Sequence, residues 1–243
     1  MIDYEALVPG VLLRRYKRFL ADVRLDDGRK VTAHCPNTGS MKSVDVPGCR
    51  VWLSPSDNPK RKLAWTWELI ELPSVDGATL MASIHTGRAN RLVETALEEG
   101  RLEALAGYTR FHREVTVADS RLDFLLEDEA SGRRAYLEVK QVTLKEEDGR
   151  GYFPASVSAR GLKHLDALNA LARAGERAVL VFCVARQGIE NVGPATHIDP
   201  AYAAGFHAAV AQGVEVLAYG IGVSWQEGVP ASIFIDRPLG VRL

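Results

Sequence analysis

The stretch SRLDFLLEDEASGRRAYLEVKQVTL, residues 120–144, reads as two strands around a turn. In SRLDFLL, Leu122 and Phe124 share one strand face and Asp123 takes the other, because side chains alternate along a strand. In YLEVKQV, Leu137 and Val139 share a face, which puts Glu138 and Lys140 together on the opposite one. A hairpin through the Ala130–Gly132 turn lets two carboxylates and an ammonium converge. Asp123 and Glu138 are hard oxygen donors of the kind that Mg2+ or Mn2+ takes, with the Val139 carbonyl as a third. Lys140 could orient an attacking water or stabilise charge on a phosphoryl oxygen. A bound metal would lower the pKa of that water and polarise a phosphodiester. A solvated sheet edge with an ordinary Glu–Lys pair would produce the same short motif.

The elements on either side extend this pair into a layered domain. FHREVTV (111–117) is a further strand before it, and ANRLVETALEEGRLEAL (89–105) carries leucines and alanines at helical spacing. After it, a helix from Ser158 to Arg173 sets Leu162, Leu165, Leu168 and Ala172 on one stripe. RAVLVFCV (177–184) is a nearly continuous apolar run, as in a strand covered on both faces. The helix AYAAGFHAAVAQG (201–213) and the strand VEVLAYGIGV (214–223) complete a helix–β–β–β–helix–β–helix–β order. That order makes a mixed sheet with helices on its faces. Glu94, on the first helix, could reach the metal as a further acid. Arg160, Lys163 and His164 lie opposite the leucine stripe, where they could contact phosphates, or His164 could hydrogen-bond a carboxylate ligand. A basic or acidic solvent face is the plain alternative for each.

Residues before about Gly87 follow a different rule. VLLRRYKRFLADVRL (11–25), KVTAH (30–34), CRVWLS (49–54), LAWTWELIEL (63–72) and ATLMASI (78–84) are strand-like runs. The turn-rich stretches DDG, CPNTGSMKSVDVPG, PSDNPKRK and DG separate them, which argues for an all-β module. About 80 residues in some five strands fits a small OB-type barrel, and an SH3-like barrel would give nearly the same pattern. The module boundary falls near Ile84–Ala89, giving 1–85 and 86–243.

Composition narrows the functional classes. The 243 residues are 47% hydrophobic and 25% charged, ordinary for a folded soluble chain and unlike a disordered or collagenous one. Thirty Lys and Arg against 31 Asp and Glu exclude a strongly basic coating protein but leave room for a local basic groove. Three isolated cysteines, Cys35, Cys49 and Cys183, read as reduced thiols and form no zinc-type array. The first residues lack an apolar signal region, and no apolar span is long enough for a membrane helix, so the expectation is a cytoplasmic chain without membrane partners. No dinucleotide fingerprint, phosphate-binding loop or GxSxG elbow is present, and no obligate small-molecule cofactor is expected.

Basic residues of the β module suggest DNA as partner. Arg14, Tyr16 and Arg18 alternate on one strand face, with Arg15 and Lys17 on the other. Lys60, Arg61 and Lys62 form a second cluster near Trp65 and Trp67. Cations of this kind neutralise phosphates and aromatics stack on bases, although plain solubility serves equally for the cations. The two tryptophans, with Leu63 and Leu69 on their face, fit a barrel core better. Asn37 and Thr38 lie in HCPNTGS (34–40), which could donate to a phosphate or form a structural turn.

Together, RRYKRFLADV, HCPNTGSM, SRLDFLL, LEVKQVTL, YFPASVSARGLKHL and IDPAYAAG resemble the sugar fermentation stimulation protein A family. The resemblance runs from about Val11 to Ala218. It implies an α/β plus all-β protein: an N-terminal OB-type barrel followed by a PD-(D/E)XK nuclease-like mixed sheet flanked by helices. By that resemblance Asp123 and Glu138 occupy the acidic metal positions, Lys140 the superfamily lysine and Glu94 the helix acid. Arg160, Gly161, Lys163, His164 and Leu165 match the family's RGxKHL stretch, and Asn37, Thr38 and Gly39 its NTG turn. The implied activity is DNA binding with divalent-metal phosphodiester cleavage, His164 assisting the leaving group or holding phosphate. The alternative is a non-catalytic DNA-binding regulator of sugar, especially maltose, metabolism. Superfamily nucleases that cut both strands often pair, which makes a homodimer an expectation. Three departures stand out: Ala155 where the family has an acid, Ala155-Ser156-Val157-Ser158 in place of Asp-Ala-Val-Thr, and Tyr16-Lys17 in place of Pro-Asn.

Overall fold

A computed structural model describes residues 1–56, 58, 60–74 and 77–243. A two-residue strand, β1 (Ile2–Asp3), comes first, then β2 (Val8–Tyr16), β3 (Leu20–Leu25), β4 (Lys30–His34), β5 (Arg50–Pro55), β6 (Trp65–Pro73) and β7 (Thr79–Ser83). Strands β4-β3-β2-β5-β6 neighbour one another in that order, and His34 opposite Thr66 joins β4 back to β6. The result is a closed five-stranded barrel with β7 appended to β6. Period-two burial produces it: Ala21, Val23 and Leu25 of β3 face inward, and Leu12, Leu53, Trp67 and Ile70 complete the filling. Trp67 is core, as its leucine neighbours suggested, and the half-buried Trp65 packs against the same cluster.

The run 11–25 is not one strand. Lys17 and Arg18 both take positive φ, 49° and 66°, and turn the chain back on itself between β2 and β3. Arg18 therefore does not share a strand face with Arg14 and Tyr16. Asp76 of the expected Asp-Gly turn, and Asp57 and Pro59 of PSDNPKRK, lie outside the described residues.

The remainder contains α1 (Gly87–Glu98), β8 (Arg110–Val117), β9 (Ser120–Glu127), β10 (Arg134–Val142), β11 (Leu144–Lys145), β12 (Gly151–Phe153), α2 (Ala159–Arg173), β13 (Arg177–Val184), β14 (Asn191–Pro194), α3 (Pro200–Ala211), β15 (Glu215–Gln226), β16 (Val229–Pro238) and β17 (Gly240–Val241). Seven strands form a mixed sheet in the order β1-β16-β15-β13-β10-β9-β8. Its centre, β10-β13-β15, is parallel, and β13 is buried along nearly its whole length, as its unbroken apolar run requires. The helix expected over 89–105 stops at Glu98, because Gly100 takes φ +65° and lets the chain leave the helix. The strand expected over 214–223 continues to Gln226 and returns as β16. Ile2 pairs with Ile233, so the first residues of the chain join the sheet although they precede the barrel.

Barrel and sheet share a core. Trp52, Leu69 and Met81 of the barrel pack with Leu92 and Val93 of α1 and with Leu137, Val139 and Val181 of the sheet. Beside this core, Glu68 of β6 accepts from Arg88 Nε at 2.6 Å, Arg88 lies 4.6 Å over the Tyr4 ring, and His85 Nδ1 is buried without a partner. On the other sheet face α2 and α3 are tied together at their starts. Ser158 caps α2 through Gly161 N–H, and Asp199 caps α3 through Tyr202 N–H while also accepting from Ser158 N–H at 2.8 Å. Gly161 has room for no side chain, since a Cβ would stand 2.8 Å from Ser158 Oγ and 3.2 Å from Tyr202. No described helix is long and apolar enough to cross a membrane.

Candidate metal and nucleic-acid site

Strands β9 and β10 pair from Glu127 opposite Arg134 to Phe124 opposite Leu137, and there their ladder ends. The next rung would set Asp123 against Glu138. Instead the Asp123 side chain takes the place of main chain, accepting the Val139 N–H at 2.7 Å through Oδ2 and Asn90 Nδ2 at 2.5 Å through Oδ1. β10 continues beside β13 as far as Val142, so the two strands fork and the two acids sit in the fork. Burial, with the Glu138 charge adding to it, raises the Asp123 carboxyl above the ordinary range; the Val139 and Asn90 hydrogen bonds oppose that rise.

Glu138 is 2% exposed. Its Oε1 is shared by Lys140 Nζ and His164 Nδ1, while Oε2 is buried with no partner. Burial pushes the Glu138 carboxyl upward, but His164 and Lys140 outweigh it and hold the group below the usual glutamate range. His164 is 7% exposed, so it faces the sheet and not solvent. That corrects its expected place opposite the leucine stripe, whereas Lys163 and Arg160 are exposed as expected. Arg160 Nε lies 3.4 Å from His164 Nε2, and His164 Nδ1 faces both Glu138 Oε1 and Lys140 Nζ, the latter at 3.2 Å. Both ring nitrogens are engaged, and through Nδ1 His164 braces Glu138.

Glu94 does not join the two acids. Its carboxylate pairs with Arg113 at 3.5 Å, and Asn90, one turn earlier on α1, is the helix residue that reaches Asp123. Among the described residues no group of three or more His, Cys, Asp or Glu side chains is arranged to hold a metal ion. The donors that remain are oxygens: the orphaned Glu138 Oε2, spare lone pairs on Asp123 and the Val139 carbonyl. An uncompensated buried carboxylate oxygen is costly, and this donor set fits a hard divalent cation and not a soft one.

Beside the fork lies a cleft of ≈ 390 Å³. Its walls are the barrel loop 37–41, the start of α1, Val139–Gln141 of β10 and the segment 152–158. Lys140 and Asn90 reach into it. The loop is held by named bonds. Arg15, its side chain only 8% exposed, donates to the carbonyls of Arg18, Asn37 and Gly39 at 2.8, 3.0 and 2.8 Å. Arg18 Nε donates to the Thr38 carbonyl, and Asn37 Oδ1 accepts the Gly39 N–H. Arg15 thus builds the loop and is not free to meet a phosphate, and Asn37 is buried in the turn. Ser40 Oγ donates to the Ala155 carbonyl at 2.7 Å and Thr86 Oγ1 to the Pro36 carbonyl at 2.9 Å, fastening the loop to both cleft walls. Ala155 lines the cleft where the resemblance leads one to expect an acid.

The other expected phosphate contacts are exposed: Lys17, Arg18, Thr38, Lys60, Arg61 and Lys62 on the barrel, Arg160 and Lys163 on α2. Arg14 is paired with Asp22 at 2.8 Å. Asn90 and Thr86 had no signal of their own in the sequence. Asn90 could have been found only as the residue one turn from Glu94 on the same helix face.

Comparison with known proteins agrees with both halves. Residues 87–227 match the model for "Sugar fermentation stimulation protein RE domain", and residues 13–78 match that for "SfsA N-terminal OB domain". A sugar fermentation stimulation protein homolog of Chromohalobacter salexigens is 62% identical over 243 residues, covering 100% of this chain and 95% of that one. One from Alkalilimnicola ehrlichii is 52% identical over 245 residues, covering 100% and 99%. The solved structure of Pyrococcus furiosus SfsA in complex with Ca2+ superposes over 100% of both chains, with a TM-score of 0.85 at 29% identity. The chain belongs to the sugar fermentation stimulation protein family.

Proposed function

We propose that this protein binds DNA along the cleft and cleaves phosphodiesters with a divalent cation held by Asp123, Glu138 and the Val139 carbonyl. The observation that carries this reading is the buried, unpartnered Glu138 Oε2 beside Asp123, at the point where β9 and β10 part. Mg2+ or Mn2+ there would supply Lewis-acid polarisation of the phosphodiester and a lowered water pKa. Lys140, at the cleft wall, is positioned to steady charge on a phosphoryl oxygen. His164 and Asn90 orient the two acids, one each. The barrel would hold the strand through Lys17, Arg18 and the Lys60–Lys62 cluster, and Arg160 and Lys163 would meet it from α2. That a family member was solved with Ca2+, another oxygen-seeking cation, supports the donor set.

A second reading has its own support. Glu94 is paired with Arg113 and Ala155 brings no carboxylate to the cleft, so only two acids remain. A regulator that binds DNA and retains a cation without cutting fits that reduced set. The experiment is cleavage of single- and double-stranded DNA with Mg2+ and Mn2+ by the wild type, Asp123→Ala and Glu138→Ala, with binding followed alongside. Cutting that both substitutions abolish while binding persists supports the nuclease. Binding without cutting under either metal favours the regulator.

A further inference from the structure

Phe19 is 47% exposed at the end of the barrel that meets the cleft. It directly follows the two positive-φ residues Lys17 and Arg18. Its backbone is anchored, the carbonyl accepting the Cys35 N–H at 2.8 Å, and the neighbouring Arg18 side chain is fixed on the Thr38 carbonyl at 2.8 Å. Thr38 lines the cleft. Trp225, another exposed aromatic, meets Trp52 edge-on at 6.0 Å, whereas Phe19 has no ring partner among the described residues. A second exposed apolar side chain, Val157 at 77%, stands on the 152–158 wall of the same cleft.

The charge at this end is also distinctive. Arg14, Arg29 and Arg50 are paired with Asp22, Asp27 and Asp26. Lys17, Arg18 and Arg61 have no carboxylate partner among the described residues. Arg61 belongs to the same end, because it donates to Thr66 Oγ1 at 3.1 Å, Thr66 pairs with His34, and His34 pairs with Leu20. An exposed ring on an anchored backbone is thereby flanked by cations without carboxylate partners beside the cleft.

We infer that Phe19 is a stacking platform for an unpaired nucleobase, with Lys17, Arg18 and Arg61 on the adjoining phosphates. The site would favour single-stranded over duplex DNA. This rests on the DNA-binding reading above and adds strand selectivity to it. The physical reason is that an unpaired base can offer a free π-face, whereas duplex bases are covered above and below by their neighbours. The backbone that carries the ring is anchored, and a phenyl ring has only two χ angles to order, so the entropy opposing the contact is small.

The test uses the full chain, in EDTA to prevent cleavage, with a fluorescent oligothymidylate of about 20 nucleotides and a duplex of equal length. Phe19→Ala should weaken single-strand binding by about tenfold or more and duplex binding by less than about twofold, with Tm unchanged. Phe19→Trp should restore the single-strand affinity. Equal losses on both probes, no loss on either, or a wild type that binds duplex as tightly as single strand would each overturn the stacking site while leaving DNA binding intact. A wild type that binds neither probe overturns the DNA-binding reading and this inference with it.

Discussion

Asp123 receives the Val139 main-chain amide on its side-chain Oδ2 at 2.7 Å, where a β-ladder would have continued. The fork that results separates β9 from β10 without leaving the amide unpaired, and it brings the acid to face Glu138. A carboxylate that ends a ladder and fronts a buried partner is held by the fold from two directions. Replacement by Ala would leave that amide without an acceptor, so Asp123→Asn, which keeps an acceptor oxygen, is the variant that separates ion binding from folding.

Divalent cations should stabilise the protein through this pair. A cation at a hundredfold over its dissociation constant raises stability by about 2.7 kcal/mol, read as a rise in Tm with Mg2+, Mn2+ or Ca2+ over EDTA. Glu138→Gln and Asp123→Asn should lose that rise. A Tm increment as large in both variants as in the wild type would place the cation elsewhere.

Asn90→Ala removes the 2.5 Å hydrogen bond to Asp123 Oδ1. The Asp123 carboxyl, already raised by burial and by Glu138, should rise further because one opposing bond is gone. Cation affinity, measured by titration calorimetry, should fall by about tenfold, corresponding to a loss of about 1.4 kcal/mol. An unchanged affinity would show that the Val139 amide alone orients the acid.

Arg15 is expected to matter for stability and not for DNA charge. Arg15→Ala leaves the carbonyls of Arg18, Asn37 and Gly39 without their donor and should cost about 2 kcal/mol in urea unfolding. Arg15→Lys should restore part of that loss, since the three bonds converge on one nitrogen, Nη2, and an ammonium also carries three donors. Lys60→Ala, on an exposed residue, should leave stability unchanged and lower the salt dependence of DNA binding.

His85 gives the junction an acid-side sensitivity. Burial lowers its pKa; Glu68 opposes that shift, and Arg88 and His34 add to it. The unfolded chain, with an ordinary histidine near pKa 6.5, then binds the proton more readily than the folded one. This contribution to stability is complete above about pH 6.5 and declines as pH falls through the lower folded value. Between about pH 7.5 and 5.5, wild-type Tm should drop more than that of His85→Gln; equal drops would show that His85 does not couple to folding.

Much of the architecture was legible because it follows from short-range rules. Period-two burial fixed the inward face of β3, and the apolar run of β13 marked a strand covered on both sides. The convergence of Asp123, Glu138 and Lys140 followed from the same alternation. What failed was local geometry at breaks. The positive φ of Lys17 and Arg18 split a run that reads as one strand, because neither residue type signals a left-handed turn. Glu94 was the natural helix acid by resemblance, yet Asn90, one turn earlier on the same face of α1, is level with Asp123, and Glu94 pairs with Arg113.

The sequence by itself determined two modules, their element types and which side chains share a strand face, because alternation and helical spacing are properties of the backbone. Only the tertiary structure decided which cations are free. Arg15 and Arg18 are neighbours of the same cluster, but carbonyls from a loop more than twenty residues away enclose the first while the second stays exposed. Tertiary packing also buried His164 against Glu138 and left Phe19 outside. Partners distant along the chain meet only when barrel and sheet close on their common core, and that closure sets solvation and charge at each side chain.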